Sequence, residues 1–599
     1  MVRVRTQFVV VLALLLASGA ASAATFRYAS SNNRIYIEGG GDATLSDVKA
    51  ALPAAPLNQI STTPSIWVLN ANLQITGGSV LVLHGAPAAE PGDVDELRIQ
   101  SNNDATGFVS ITADYGMIDI DSVHIQSWDA AANGPDTNYS NGRAFIRVRS
   151  KYDTDGTTPL ESRMNINNSE IDHLGYNAAE SYGLVWKVNV PTVADYAKVN
   201  VWGDINSSRI HENYYGVYTF GHQDGFFFNN EVDHNVGYGL DMHDDTDNLT
   251  VDTNNVHDNG NHGIIFSKRC DHAVIHNNEV YDNTGNGIMV HRSSDDALID
   301  DNRSTNNTDA GVAIFGSSRT EVSNNALFDN ANAGVRISVG GTGNNVHDNE
   351  ISGGTKGLYF YKGTDTPEPG DNGRPKSNTL KNNLVHDTTG DGIKMSDSDN
   401  NVFITNTFQN VGTLLEFSTS PGVTLNNNDI PAGVTVKASG NSAHHTSITV
   451  RPNAGTSLPI RMSDGYSTFQ FRSSTRTIFD LQQNVFTSIT PTSSLLSLTQ
   501  GNTGGTTTVY ARKMSATPSG MNVAVNLTQW TANRAWQAQA TSASGSVQYV
   551  VGGLAPGAQY AVTQAGASLG TFTADGAGNV TFSATPGTTS SVNYTVIKQ

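Results

Sequence analysis

At 599 residues the chain is too long for one compact core, and two or three structural units are expected. A formal charge of −20 argues against nucleic acid and anionic membranes as partners. The single cysteine, Cys270, rules out an intrachain disulfide and any cysteine-based zinc site, leaving a packing role for that residue.

Residues 1–23 read as an export signal. Arg3 and Arg5 give the basic start, Phe8 to Leu16 the apolar run, and Ala21-Ser22-Ala23 the cleavage site. The apolar run is too short to span a bilayer. After cleavage the chain carries −22, the two arginines being lost, and its expected location is the periplasm or the exterior. No later segment approaches a transmembrane stretch, so membrane insertion is not expected. Residues 24–97 lack the repeat that follows and are expected to cap the first coil, covering an open sheet edge.

From 98 to 440 the sequence is periodic. Short segments of the form Gly-apolar-x-apolar-x begin at Gly216, Gly239, Gly263, Gly287, Gly311, Gly334 and Gly357, in steps of 23 or 24 residues. Two offset copies begin at Gly183 and Gly392. Short strands with recurring turn residues at this period predict an all-β fold, a right-handed parallel β-helix. Helical solenoids need apolar runs at 3.6 periodicity, and the leucine spacing of a leucine-rich repeat is absent. Asparagine pairs at 229–230, 254–255, 277–278, 324–325 and 382–383 keep nearly the same phase. They read as architecture, with amides stacking from coil to coil and Asn tolerating left-handed turns.

Strand alternation sorts the side chains. In the segment GLDMH, Leu240 and Met242 point inward while Asp241 and His243 face outward. Extended to every coil, the outward positions form a strip rich in aromatic, cationic and ionisable groups, with neighbouring coils about 4.8 Å apart. Such a strip suits the floor of a groove for an extended polymer. Beyond it, residues 441–506 form a β-rich connecting region, and 507–599 are expected to make a small antiparallel β-sandwich, an accessory module without identifiable chemistry.

The run Tyr238-Gly-Leu-Asp-Met-His-Asp-Asp resembles the mannuronan C5-epimerase signature, in which Tyr-Gly-x-Asp-Pro-His-Asp is typical. Segments beginning at Trp128, His173, Ser181, Gly216 and His262 look like the periplasmic enzymes of that family, so the likeness runs from about Trp128 to Asn410. The resemblance implies a β-helix that converts β-D-mannuronate to α-L-guluronate within alginate. It implies His243 as the proton-abstracting base, with Asp241 and Tyr238 in the same site. Met242 departs from the usual Pro, and Lys268 stands where relatives tend to have Arg. The calcium-binding glycine-rich repeats of the secreted epimerases are absent, which removes one argument for calcium; no metal or other cofactor is expected.

C5 epimerisation needs a neutralised sugar carboxylate, a base and an acid on the opposite face. Histidine suits the base, and Asp241 beside His243 is expected to orient its ring. Tyr238 is the expected second proton carrier, His234 an alternative base, and Lys268 or Arg269 the neutralising cation. Lys187, Tyr218, His262, His291, Arg292, Arg336, Tyr359, Tyr361 and Lys394 are expected to contact the polymer. His262 and the two tyrosines have structural readings as well. Alginate or polymannuronate is the expected partner, with the polymer's export machinery a further candidate. Three other functions remain open: an alginate lyase, which shares the first chemical step, a non-catalytic polyuronate-binding solenoid, and a pectin-degrading enzyme.

Overall fold

The computed structural model describes residues 23–429 apart from positions 91, 421 and 427, and residues 514–599 apart from positions 520, 522 and 531. From 430 to 513 it describes only backbone strands. The expected signal segment and most of the connecting region therefore lie outside the described residues.

The chain forms a right-handed parallel β-helix in which each coil gives one short strand to each of three sheets. One coil consists of Leu240–His243, Thr250–Asp252 and Asn255–His257. The next, Ile264–Ser267, Val274–His276 and Glu279–Tyr281, pairs with it in parallel and in register. Strands this short suffice because each sends one or two apolar side chains inward. Met242, Val251 and Val256 stack on Phe266, Ile275 and Val280, all fully buried. Each such residue stabilises by about 1.5–3 kcal/mol. The repeat glycines mark where coils crowd: a Cβ on Gly239 would stand 2.6 Å from the Gly263 carbonyl oxygen.

The asparagine pairs divide two tasks. Asn230, Asn254, Asn278, Asn302, Asn325 and Asn349 are buried and pass hydrogen bonds amide to amide at 2.8–3.0 Å. Their neighbours Asn229, Asn277 and Asn324 take the left-handed turn instead, at φ of 54–56°. A second ladder runs through Asn235, Asn259, Asn283 and Asn307. The Asn278 amide donates to Val251 O, His276 O and Asn302 Oδ1, and accepts from the Asn254 backbone and side chain. Asn278→Ala orphans all of these partners, and a loss of about 3 kcal/mol or more is expected. Asn277→Gly keeps the turn and should cost little. Thermal unfolding of the two variants checks the contrast.

The stretch 24–97 is more than a cap. Arg34–Glu38, Asn72–Thr76 and Ile111–Asp114 pair in parallel within the first sheet, and the other two sheets likewise begin before residue 97. These coils have the inward alternation, as in Ile35, Ile37, Leu73 and Ile75, without the Gly and Asn turn code. The cap proper is Thr25–Ala29, antiparallel to Arg34–Glu38, and the helix Leu45–Ala51, started by a Thr44–Asp47 capping box.

The C-terminal residues form two antiparallel sheets. Met514–Ser519, Ser546–Val551 and Val580–Ala584 make one, and a five-stranded sheet that includes Arg534–Ala540 makes the other. Trp536 of the latter lies 5.4 Å from Tyr549 and 6.1 Å from Phe582 of the former, the core of a sandwich. No described helix is long and apolar enough to cross a membrane.

Three excursions, 153–162, 190–200 and 362–375, all leave the stack after a strand of the first sheet. That sheet carries the candidate site.

Candidate functional site

Two outward columns run up the first sheet, as alternation predicts. One is Tyr218, Asp241, Ile265, Met289, Ala313, Arg336, Tyr359 and Lys394, and the other Phe220, His243, Ser267, His291, Phe315, Ser338 and Tyr361. They are not a uniformly open floor. Ile265, Met289, Ala310, Ala313 and Ala333 are buried outside the barrel, packed by Tyr238, Phe315 and Tyr359. Ile265 and Met289 of this apolar patch also line a cleft of about 360 Å³, a volume typical of ligand sites.

Asp241 and His243 line the cleft. Asp241 is only 3% exposed, and burial pushes its carboxyl up to about 7, against the opposing pull of His243. It therefore holds a proton near neutrality. Asp241 is not the residue that orients the imidazole. His243 Nδ1 stands 2.5 Å from a carboxylate oxygen of Asp244, in the turn beyond the strand. The pair is close in distance without the alignment of a hydrogen bond; with the proton of the neutral ring on Nδ1, toward Asp244, Nε2 presents its lone pair to the cleft. The Tyr218 ring stacks on the imidazole at 5.8 Å.

A third column is only half legible in the sequence, which points to Tyr238 and His262 but not to Tyr182 and Tyr215. The residue before each repeat glycine, Tyr182, Tyr215, Tyr238 and His262, lines the edge of the cleft away from His243. Tyr215 stacks on Tyr182 at 4.6 Å and meets Tyr238 edge-on at 4.9 Å. Burial and the nearby Asp241 charge raise all three phenols, and Tyr218 with them, so each stays protonated as a donor. The repeated Tyr-Gly at successive coils was the legible signal. His262 is held neutral, its imidazole lowered to about 4 by burial, and Nδ1 accepts from the Asn286 backbone at 2.9 Å.

The cations come from stacked left-handed turns, at Lys268, Arg269 and Arg292. Lys268 lines the cleft, with Nζ 3.5 Å from Asp244. Arg269 is held away by two bonds to Asp245 and a third to Asp244. Arg292 lines the cleft and pairs with Asp365 at 2.8 Å. His291 donates to or accepts from Ser267 and meets the same Asp365 at 2.9 Å. Asp365 arrives on the 362–375 excursion, which no strand periodicity marks.

The other expected residues lie outside the cleft lining. Lys187 Nζ sits 3.1 Å over the Phe220 ring. Further up the sheet Arg336 pairs with Asp309 at 2.6 Å and touches the Tyr361 hydroxyl. Tyr359 stacks on Tyr361 at 4.8 Å, and Lys394 pairs with Glu416. His234 is separated from this group altogether: it follows a strand of the third sheet and pairs with Asp233.

Among the described residues, three sets of imidazoles and carboxylates are close enough to share a metal ion. They are His124, Glu170 and Asp172; Glu231, Asp233 and His257; and His276, Asp300 and Asp301. All lie on the second and third sheets, away from the cleft.

Residues 188–333 and 265–368 match a family model described as periplasmic copper-binding protein (NosD). The chain is 25% identical over 224 residues to a mannuronan C5-epimerase of Pseudomonas aeruginosa, covering 37% of each chain. It is 27% identical over 225 residues to the mannuronan C5-epimerase AlgG of Azotobacter vinelandii, covering 37% of this chain and 38% of that one. The chain thus spans little more than a third of the length of these relatives. The crystal structure of the periplasmic alginate epimerase AlgG superposes with a TM-score of 0.51 at 20% identity, over 66% of this chain and 84% of that one. That likeness establishes the β-helix fold.

Proposed function

We propose that this chain is a mannuronan C5-epimerase acting within the alginate polymer. The observation that carries the reading is one cleft joining an imidazole held by Asp244, a buried carboxyl of raised pKa and the cation of Lys268. The two sequence relatives of that activity support it. His243 Nε2 takes the C5 proton, and the electron pair of the broken C–H bond delocalises into the sugar carboxylate. Lys268 and the un-ionised Asp241 offset the charge gathering there. Tyr238, on the opposite edge, returns a proton to the other face of C5. Solvent then carries a proton from the imidazolium back to the phenolate.

The cleft does not suit the copper of the NosD description. Only one of its three imidazoles offers a lone pair, at His243 Nε2: His291 has both ring nitrogens bonded, to Ser267 and Asp365, His262 Nδ1 accepts from Asn286 so that Nε2 carries the proton, and Cys270 is fully buried outside the cleft. The reading carries with it an expected location, the periplasm or the exterior, and the polymer's export machinery as an expected partner.

Lys268→Met is expected to lower kcat/KM about 100-fold or more, the scale of losing one charge-stabilising donor. Arg269→Met should lower it less than about tenfold, since that guanidinium serves Asp244 and Asp245. Steady-state rates on polymannuronate separate the two. The reaction itself is tested by proton NMR of polymannuronate incubated with the protein in deuterated water. Guluronate signals with deuterium at C5 and intact chain length are expected. Unsaturated ends without guluronate would make the protein a lyase, and an unchanged polymer would make it a binding protein.

A further inference from the structure

On the third sheet, facing away from the cleft, three imidazoles close over one carboxylate. Asp172 points outward from its strand, yet it is only 3% exposed. His124 Nε2 lies 2.5 Å from Asp172 Oδ2, His173 Nδ1 touches Oδ1, and His211 Nε2 lies 3.9 Å from Oδ2. Glu170 adds a carboxylate oxygen 3.0 Å from His211 Nε2, and Glu212 one 2.6 Å from His173 Nε2. The positions follow from register: His124 stands beside Glu170, and Asp172 beside His211, on three successive coils.

We infer that His124, Glu170, Asp172 and His211 form a binding site for a divalent transition cation of the zinc type, which staples three coils together. One donor atom each from His124, Glu170 and Asp172 already lies within 4.8 Å of the others. A tetrahedral zinc with bonds of about 2.0–2.1 Å sets its donors about 3.3 Å apart; the 3.0 and 3.9 Å from His211 Nε2 to Glu170 and Asp172 bracket that spacing, and the 2.5 Å contact of His124 with Asp172 would open by about 1 Å to admit the ion. Mixed imidazole and carboxylate donors suit zinc better than calcium or magnesium, which take oxygen. His173, bridging Asp172 and Glu212, would serve as the outer partner that fixes a ligand's orientation.

The similar group one coil further is a poorer candidate. There Arg209 occupies both oxygens of Asp233, taking the place of a cation. Near Asp172 the buried Arg143 spends its donors on the carbonyls of Gly175, Leu174, Glu212 and Asp136, leaving the carboxylate to the imidazoles. In a chain with no disulfide, a cross-coil metal clip would do the stapling.

The test is zinc binding to the full mature chain, stripped with EDTA and titrated with zinc chloride against a chromogenic chelator. One tight site per chain is expected, with a rise in the unfolding temperature that EDTA reverses. His124→Gln with His211→Gln should weaken binding about 100-fold or more and abolish the zinc-dependent rise. These side chains lie on the outer face, so the metal-free double variant should match the metal-free parent in circular dichroism. X-ray absorption should report nitrogen and oxygen neighbours without sulfur. No zinc bound, or zinc bound equally by the double variant, overturns the inference; the second result would assign the metal to another site. Since the readouts are binding and stability, failure here leaves the epimerase reading untouched.

Discussion

Replacing His243 by glutamine is expected to lower kcat about 1,000-fold, within the range for loss of a general base, with little change in polymer binding. The imidazole is packed under Tyr218 and held at Nδ1 by Asp244, so glutamine fills the space but offers no basic nitrogen at the position of Nε2. In the proposed reaction, proton removal from C5 is the step that requires it. Exchange of the C5 hydrogen with deuterated solvent should therefore fall in parallel with guluronate formation. Asp244→Asn should show a smaller loss, because the ring remains in place while its preferred tautomer is no longer fixed. A His243→Gln enzyme keeping a tenth of the parent rate would move the base to another residue, with His262 or His291 next in line by position.

The second large effect concerns Asp241 and links stability to pH. Its carboxyl is raised from 3.8 to about 7 by burial, so the folded chain retains a proton that the unfolded chain gives up. Between those values the unfolded state binds fewer protons, and stability falls as pH rises. At 1.36 kcal/mol per pKa unit the loss approaches about 4 kcal/mol above neutrality. Asp241→Asn removes the ionisation. The variant should match the parent near pH 4 and become the more stable at higher pH, the gap widening by about 2–3 kcal/mol between pH 5 and pH 8.5. Chemical denaturation at those two values measures it. Parallel behaviour would mean that Asp241 is ionised in the folded chain throughout. Activity offers a second readout. Above pH 7 an ionised Asp241 repels the sugar carboxylate, so the parent should lose rate on the alkaline side, and the Asn variant should lack that limb.

The columns of the first sheet were legible because two periods act together. Alternation along the strand sets the face, and the 23- or 24-residue step sets the neighbour, so Tyr218, Asp241 and Ile265 fall into register without further information. Turns obey neither period. Alternation thus pairs His243 with Asp241, in its own strand, whereas the contact is with Asp244 beyond it. The same ignorance of turns left Lys268 and Arg269 equivalent, although one left-handed residue faces the cleft and the next faces Asp245. Asp365 was out of reach, since its excursion carries no repeat at all. The first coils escaped notice for the opposite reason: they have the strand pattern of Ile35 and Ile37 but not the turn residues by which later coils were recognised. His234 shows the limit of sequence proximity. Seven residues from Asp241, it lies on a different sheet because the coil turns a corner between them.

The amide ladders have a bearing on how such a molecule can change. Asn349 bonds to Asn383 at a sequence separation of 34 as well as Asn325 bonds to Asn349 at one of 24, both at 2.9 Å. The rail thus spans the 362–375 excursion without adjusting to it, and the corner from which that excursion departs also carries those at 153–162 and 190–200. Length and sequence at this one corner are consequently free to vary while the stack on either side keeps its phase. Grafting a different segment between Tyr361 and Lys376 should alter which groups crowd the cleft, Asp365 among them, without any compensating change elsewhere. In that sense the fold separates the scaffold from the shape of its cleft, and the corner is the natural place to engineer the second.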